Sequence, residues 1–271
     1  MPEPWHLIEA GVATVARFAG MTEAPHALVG QLAPLASPAK HVRIPFVPRE
    51  TWMRAAREAC MTLFDSVAGA LRDGARPLVL GGECSIVAGS IPAAYARIAD
   101  LVLVYLDAHG DFNTLATTPS HFFGGMCLAH VCGKQVGPLL WPGVRAFPEE
   151  QVCLVGARQL DIGELGNLER SKVKRFQFDA TAADAPGLLA AVRRKPVFIH
   201  VDLDIVDPKE MSAVNFPAPG GPSFASLTSL LAALVQVATI RGVQVCGYDA
   251  RLDAERALPR RIAGALAPLV G

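Results

Sequence analysis

Asp107, His109 and Asp111 stand at every second position of Leu106-Asp107-Ala108-His109-Gly110-Asp111-Phe112-Asn113. In an extended chain a period of two puts all three side chains on one face. They follow the apolar run 101–106, which reads as a fully buried strand, so a carboxylate, an imidazole and a second carboxylate converge where that strand ends. Unpaired charge is costly in a core, and a bound cation is its natural companion. Taken alone, the segment is also compatible with a polar strand-to-loop turn capped by Asp. A second cluster weighs against that alternative. In His200-Val201-Asp202-Leu203-Asp204-Ile205-Val206-Asp207-Pro208, Asp202 and Asp204 again share a face beyond an apolar strand. A calcium loop of the EF-hand type is excluded, because the sixth position lacks Gly and the twelfth lacks Glu. Four clustered carboxylates need compensation. Two divalent cations bridged by a pair of them and a water would supply it, and such pairs, ~3.5–4 Å apart, generate hydroxide at neutral pH.

The elements that must position these groups alternate. A helical pattern from Glu50 to Leu71 is stopped by Gly74, and the strand 77–80 follows, closed by Gly81-Gly82-Glu83-Cys84-Ser85. A helix over 86–98, the strand 101–107, a short helix near 126–131 and the strand 152–156 come next. Then follow a helix opened by Asp161, the strand 173–178, a helix over 180–194, the strand 196–204, a helix over 223–238, the strand 242–249 and a last helix from about Asp253. Residues 8–18 look helical, and the proline-broken stretch up to residue 49 reads as irregular. Strict alternation predicts an α/β fold with a mostly parallel sheet and helices on both faces, and residues 1–271 are expected to form a single domain. Sites in such sheets lie beyond the carboxyl ends of the strands. The clusters 83–85, 107–113, 158–164, 202–207 and Asp249 all follow apolar strands and should gather on that edge.

Lys and Arg together balance Asp and Glu at 25 each, so no global field favours nucleic acid or an anionic membrane, and a small-molecule partner is expected. The start, Met1-Pro2-Glu3-Pro4-Trp5-His6, does not resemble a signal peptide, and no long uninterrupted apolar run suggests a membrane span. A cytoplasmic location is the expectation, and the six cysteines are read as reduced and mostly buried. Cys127, His130 and Cys132 lack the second pair that a tetrahedral zinc site needs.

The three segments 81–85, 107–113 and 202–208 together resemble the signatures of the ureohydrolases, the family of arginase and agmatinase, in the right order across residues 75 to 255. That resemblance implies a three-layer α/β/α domain and two divalent ions, Mn2+ in most members, holding a bridging hydroxide that attacks a guanidinium carbon. It assigns Asp107 and Asp202 as bridging ligands, Asp111 and Cys84 to one site, and His109 and Asp204 to the other. Asp111 would also accept a hydrogen bond from the nucleophile. It maps Asp161 and Glu164 onto residues that bind the substrate α-amino group, and Asn113 and Ser120 onto residues that orient its carboxylate. Asp161 with Glu164 three residues later is equally a capping box in outline. Members of the family often form trimers or hexamers, so a homo-oligomer is the corresponding expectation.

The departures from that pattern bear on chemistry. Cys84 stands where the family has histidine, and a thiolate favours Zn, Fe or Ni over Mn2+. Alternatively, Cys84 is a small buried residue beside a single-metal site. Gly124 replaces a proton-shuttling histidine, and His121, three residues earlier, is the nearest candidate for that role, unless it is an ordinary exposed loop residue. Gly247 falls where arginases have a guanidinium-binding Glu, with Asp249 and Asp253 the nearest substitutes, although either could instead cap the last helix. Cys84 with Gly-Asp-Phe-Asn-Thr and Phe-Gly-Gly-Met is similar to a branch that includes a hydrolase of Nω-hydroxyarginine. The expected activity is metal-dependent cleavage of a C–N bond in a guanidine- or hydroxyguanidine-bearing amino acid. A non-catalytic, metal-binding homologue with a regulatory role is the alternative.

Overall fold

Eight strands form one sheet in the computed structural model, which describes residues 3–48, 51–134, 137, 139, 143–180 and 184–271. The strands are β1 (Trp5–Ala10), β2 (Lys40–Arg43), β3 (Arg76–Gly81), β4 (Val102–Leu106), β5 (Val152–Val155), β6 (Lys174–Phe176), β7 (Pro196–Asp202) and β8 (Thr239–Cys246). Their order is β2-β1-β3-β8-β7-β4-β5-β6, and every pairing is parallel. The inner strands are Val-, Leu- and Ile-rich without polar alternation because both faces are covered. Crossovers between parallel strands need helices, and eight α-helices among the described residues supply the two outer layers.

On one face lie α1 (Ala24–Ala36), α6 (Ala185–Val192), α7 (Phe224–Val237) and α8 (Leu258–Val270). Their Leu28, Leu188, Leu231 and Leu266 pack over Leu78, Val104 and Ile199. On the other face lie α2 (Trp52–Arg72), α3 (Val87–Tyr95), α4 (Cys127–Val131) and α5 (Ile162–Glu169), with Leu63, Ile91, Leu128 and Leu168 over Val79, Leu103 and Phe198. The sequence of α2 accounts for its limits. The Thr51 hydroxyl accepts the Arg54 N–H at 3.1 Å, Ala56, Cys60, Leu63 and Val67 recur on the buried face, and Gly74 turns the chain with φ 72°. Glu50, where the helical pattern starts, lies outside the described residues, as do residues 181–183 of the helix expected from Ala180.

The first 49 residues differ most from expectation. Residues 5–10 form β1, inserted between β2 and β3, and not the start of a helix over 8–18. Short apolar runs carry no unambiguous period, and pairing on both sides decides the outcome. The proline-broken region holds α1, which tolerates Pro25 in its first turn and ends at Ser37 in the left-handed region, φ 41°. The charged, exposed β2 closes the sheet edge. The last helix begins at Leu258 and not near Asp253, whose carboxylate accepts the Leu258 N–H at 3.0 Å. No helix among the described residues is long and apolar enough to cross a membrane.

Leu103 sits fully buried within β4, whereas Ile162 is 95% exposed. Leu103→Ala should cost about 2–5 kcal/mol in denaturant unfolding. Ile162→Ala should stay within about 0.5 kcal/mol. Equal effects would contradict the assignment of the core.

Candidate metal centre

Four neighbouring strands, in the order β3-β8-β7-β4, end at the same level of the sheet. Beyond β3, one turn of 3-10 helix at Cys84–Ile86 presents Cys84. Cys246 and Asp202 are the last residues of β8 and β7 and are register partners, while Asp107 follows β4 by one residue. Cys84 Sγ lies 2.7 Å from Asp202 Oδ2 and 3.9 Å from Asp107 Oδ2. After β7 the chain tightens into a 3-10 turn, Leu203–Ile205, whose Asp204 N–H donates to Asp202 Oδ1 at 2.9 Å. His109 Nδ1 stands 3.0 Å from Asp204 Oδ2 and 3.5 Å from Asp107 Oδ1. Two candidate ligand groups follow, Cys84–Asp107–Asp202 and Asp107–His109–Asp204, sharing Asp107. A third, Cys84–His200–Cys246, lies against the first.

Burial strengthens proton binding by Asp107, Asp111 and Asp202 in the metal-free chain. Asp107 and Asp111 are raised well above the ordinary carboxylate value, first by desolvation and then, for Asp107, by the charges of Asp204 and Asp111. Desolvation, followed by the charge of Asp204, raises Asp202 to about 7. For His109 desolvation pulls downward, but the Asp107 and Asp204 carboxylates outweigh it and push the imidazole up to about 12. Divalent ions fit this donor set because they replace those protons with fixed positive charge.

Asp111 departs from its expected place. Its Oδ2 accepts the Tyr105 hydroxyl at 2.6 Å, its backbone is left-handed at φ 48°, and it belongs to none of the three ligand groups. The carboxylate still lines the cavity that opens above the centre, about 410 Å³ in volume. Asn113, Ser120, Asp161 and Glu164 line the same cavity. Glu164 Oε1 accepts the Phe112 N–H at 2.8 Å and Oε2 the Asp161 N–H at 3.3 Å, completing a capping box on α5. Asp161 Oδ2 accepts from the Asn113 amide at 2.9 Å. Cap and cavity wall are thus the same pair of residues.

Residues 11–267 match the model of the arginase family. The chain belongs to the arginase family. It is therefore a hydrolase of the C–N bond-cleaving, amidinohydrolase kind. Among its relatives is N(omega)-hydroxy-L-arginine amidinohydrolase of Streptomyces lavendulae, 31% identical over 205 residues, or 74% of this chain and 71% of that protein. Arginase of Brevibacillus brevis is 34% identical over 180 residues, 62% of this chain and 59% of that protein. The crystal structure of arginase from Bacillus cereus superposes with a TM-score of 0.89 over 99% of both chains at 24% identity, which speaks to the fold.

Three of the family-based expectations change in this arginase-family site. His121 is exposed in a left-handed turn, φ 54°, and is absent from the cavity lining, so it is not placed to shuttle protons there. Asp249 is buried outside the lining, its carboxylate already accepting from the Asn215 amide and the Arg251 N–H, each at 2.9 Å. Asp253 is committed to the start of α8 and to the Tyr248 hydroxyl at 2.9 Å. Neither Asp249 nor Asp253 takes the place of a Glu at Gly247, and packing explains why the position itself is glycine. Gly247 has φ 86°, and a Cβ there would run into the Asp202 carboxylate. At Gly124 the corresponding space is filled by the Phe122 ring.

Several lining or supporting residues escape the motifs. Phe122 and Phe216 stack at 5.4 Å and wall the cavity, and Phe18 packs edge-on against both. From within the 81–85 motif, Glu83 also lines it, with Oε1 accepting the Thr14 N–H at 2.7 Å and burial pushing the acid up to about 7. Tyr105, His200 and Gln244 sit inside strands, where the sequence signal is a polar residue two positions before the strand-end Asp107, Asp202 and Cys246.

Linkage fixes how the metal-free protein responds to pH. Asp202 binds its proton more tightly when folded, so its contribution is complete below ~3.9 and is lost as pH rises through about 7. His109 acts in the same direction, complete below ~6.5 and lost toward about 12. Chelator-treated protein should therefore melt lower at about pH 8 than at about pH 5, and saturating Mn2+ or Zn2+ should remove the difference. A melting temperature indifferent to metal at both values would contradict this electrostatic account.

Proposed function

We propose that this chain is a dinuclear metal-dependent hydrolase that cleaves a C–N bond of an amino acid bearing a guanidine or hydroxyguanidine group. The observation carrying the proposal is the shared Asp107, which joins Cys84–Asp107–Asp202 to Asp107–His109–Asp204 at the floor of a cavity whose upper wall is Asp161 and Glu164. Bound there, a pair of divalent ions supplies Lewis-acid polarisation and a water acidified to neutral pH. The Asp107, His109 and Asp204 donors suit Mn2+, and the thiol of Cys84 favours Zn2+, Fe2+ or Ni2+ at its side. Nothing observed favours the non-catalytic reading.

The side chains divide the remaining work. Asp111, held at one oxygen by the Tyr105 hydroxyl, offers its other oxygen as acceptor for the attacking water. Glu164 and Asp161 form an anionic rim for an α-ammonium group, and Glu164 is fixed by two backbone N–H groups, so it loses little freedom on binding. Asn113 spans from Asp161 to the Thr117 hydroxyl at 2.9 Å each, and with Ser120 it can orient the carboxylate of the substrate. The guanidine end reaches the buried metal ligands past the stacked pair of Phe122 and Phe216, where Gly247 supplies no carboxylate. A head group of low basicity suits that end, which favours hydroxyguanidine over guanidine. The single continuous sheet supports treating residues 1–271 as one domain.

Metal-loaded protein should release urea or hydroxyurea from a panel of such amino acids. Asp204→Asn and His109→Ala should each lower kcat/KM by more than about 100-fold, since even groups that only orient metal ligands cost ~10–100-fold. Glu164→Gln should raise KM about tenfold with a smaller change in kcat, as expected for loss of a ~1.5–3 kcal/mol charged hydrogen bond. His121→Ala should stay within about twofold of wild type. Product release unaffected by Asp204→Asn, or none from any member of the panel with any of the four metals, would overturn the assignment.

A further inference from the structure

Directly beneath the ligand row lies a second polar row that a hydrolase floor does not require. Register pairs Tyr105 with His200 and His200 with Gln244 across β4, β7 and β8, and all three are fully buried. The Tyr105 and His200 rings stack at 3.9 Å and 12°. Gln244 meets His200 Nδ1 at 2.5 Å on one side and the Ser90 hydroxyl on the other. The second imidazole nitrogen, Nε2, faces Cys246 Sγ at 3.7 Å. Cys246 Sγ in turn lies 3.6 Å from Cys84 Sγ and 3.5 Å from Asp202 Oδ2.

We propose that Cys84, Cys246 and His200, closed by Asp202, form a thiolate-rich subsite that takes a tetrahedral thiophilic ion such as Zn2+ beside the oxygen-rich site of Asp107, His109 and Asp204. The inference deepens the dinuclear reading and rests on it for the neighbouring ion.

Geometry, hydrogen bonding and donor count support it. Zn–S bonds of ~2.3 Å and Zn–N or Zn–O bonds of ~2.0–2.1 Å at tetrahedral angles put sulfur atoms ~3.8 Å apart and sulfur ~3.5 Å from nitrogen or oxygen. The Cys246 distances to its three neighbours, 3.6, 3.5 and 3.7 Å, fall at those edges, while the Cys84–Asp202 edge, 2.7 Å, is shorter and opens when an ion enters. The Ser90 hydroxyl has a single proton, and Ile86 O accepts it at 3.1 Å. The structure sets the Gln244 amide nitrogen on His200 Nδ1 and its oxygen on Ser90; with the amide turned end for end, its nitrogen donates to Ser90 and its oxygen accepts from His200 Nδ1–H. That arrangement leaves the Nε2 lone pair free to face the sulfur pair, with Gln244 in the role of the outer partner that orients a metal-bound imidazole. Finally, Asp111 belongs to none of the three candidate ligand groups, and with Asp107 given to the neighbouring ion, Cys84 and Asp202 are the two family-pattern donors left to this one. Cys246 and His200 complete the set. Two thiolates select against Mn2+, so this chain would hold two unlike metals.

The test uses the full chain, purified reduced, stripped with chelator and titrated with Co2+ alone. Sulfur-to-cobalt charge-transfer absorption counts thiolate ligands, and visible bands report tetrahedral geometry. The expected result is intense absorption in wild type, falling to about half in Cys246→Ser and in Cys84→Ser, with an equivalent of Mn2+ still retained by both variants. X-ray absorption of the wild-type zinc form, which needs no variant, should count two sulfur neighbours. One sulfur neighbour, with absorption unchanged in Cys246→Ser, would overturn the subsite while leaving a dinuclear centre in place. Two bound cobalt ions without sulfur absorption would do the same. No bound ion of either metal would overturn both readings.

Discussion

Buried negative charge at the carboxyl edge of the sheet is the constraint on which the rest of this structure depends. Asp107, Asp111, Asp202 and Asp204 lie almost out of contact with water, with His109 paired to Asp107 and Asp204 and the Arg158 guanidinium donating to the Asp204 carbonyl at 3.2 Å. Such a set is tolerable only if protons or cations neutralise it. Parallel pairing on both sides of β7 and β8 holds the donors at one level, and the two apolar layers of helices keep the strands beneath them rigid. Charge concentrated in this way is what a metallohydrolase of the arginase family requires, and the protein supplies it by excluding water.

The four central strands are graded in polarity along their length. At the level of Leu103, Phe198 and Gly242 they are purely apolar, and the Phe198 ring fills the space that a side chain at Gly242 would need. One pleat further, Tyr105, His200 and Gln244 form a row whose polar atoms bond to each other or to the level above. The next level carries Asp107, Asp202 and Cys246. A buried polar network earns its place only when each member is satisfied, and here the intermediate row links core to ligands. Gly247 ends the gradient, since its missing side chain lets the Asp202 carboxylate lie against the end of β8.

Much of this was legible in the amino-acid sequence. Period-two spacing singled out Asp107, His109, Asp202 and Asp204, although Asp204 stands in a 3-10 turn beyond the strand, and the alternation of apolar runs with helical patterns implied the parallel sheet from β3 onward. The N-terminal region resisted because β1 acquires its identity from pairing with β2 and β3, which local periodicity does not encode. His200 and Cys246 resisted for a different reason. Inside an apolar strand either residue reads as core, and only the register that sets Asp202 opposite Cys246 reveals a ligand row. His121 and Asp249 erred the opposite way, since closeness in sequence to a motif does not determine which side chains reach the cavity.

A crystal structure of the metal-loaded protein, with anomalous diffraction recorded on either side of the zinc and manganese absorption edges, tests the account most directly. It should show two ions in contact with the Asp107–Asp202 pair, zinc on the side of Cys84 and Cys246 and manganese on the side of His109 and Asp204. A single ion, or ions bound away from Asp107 while the carboxylates stay protonated, would contradict it.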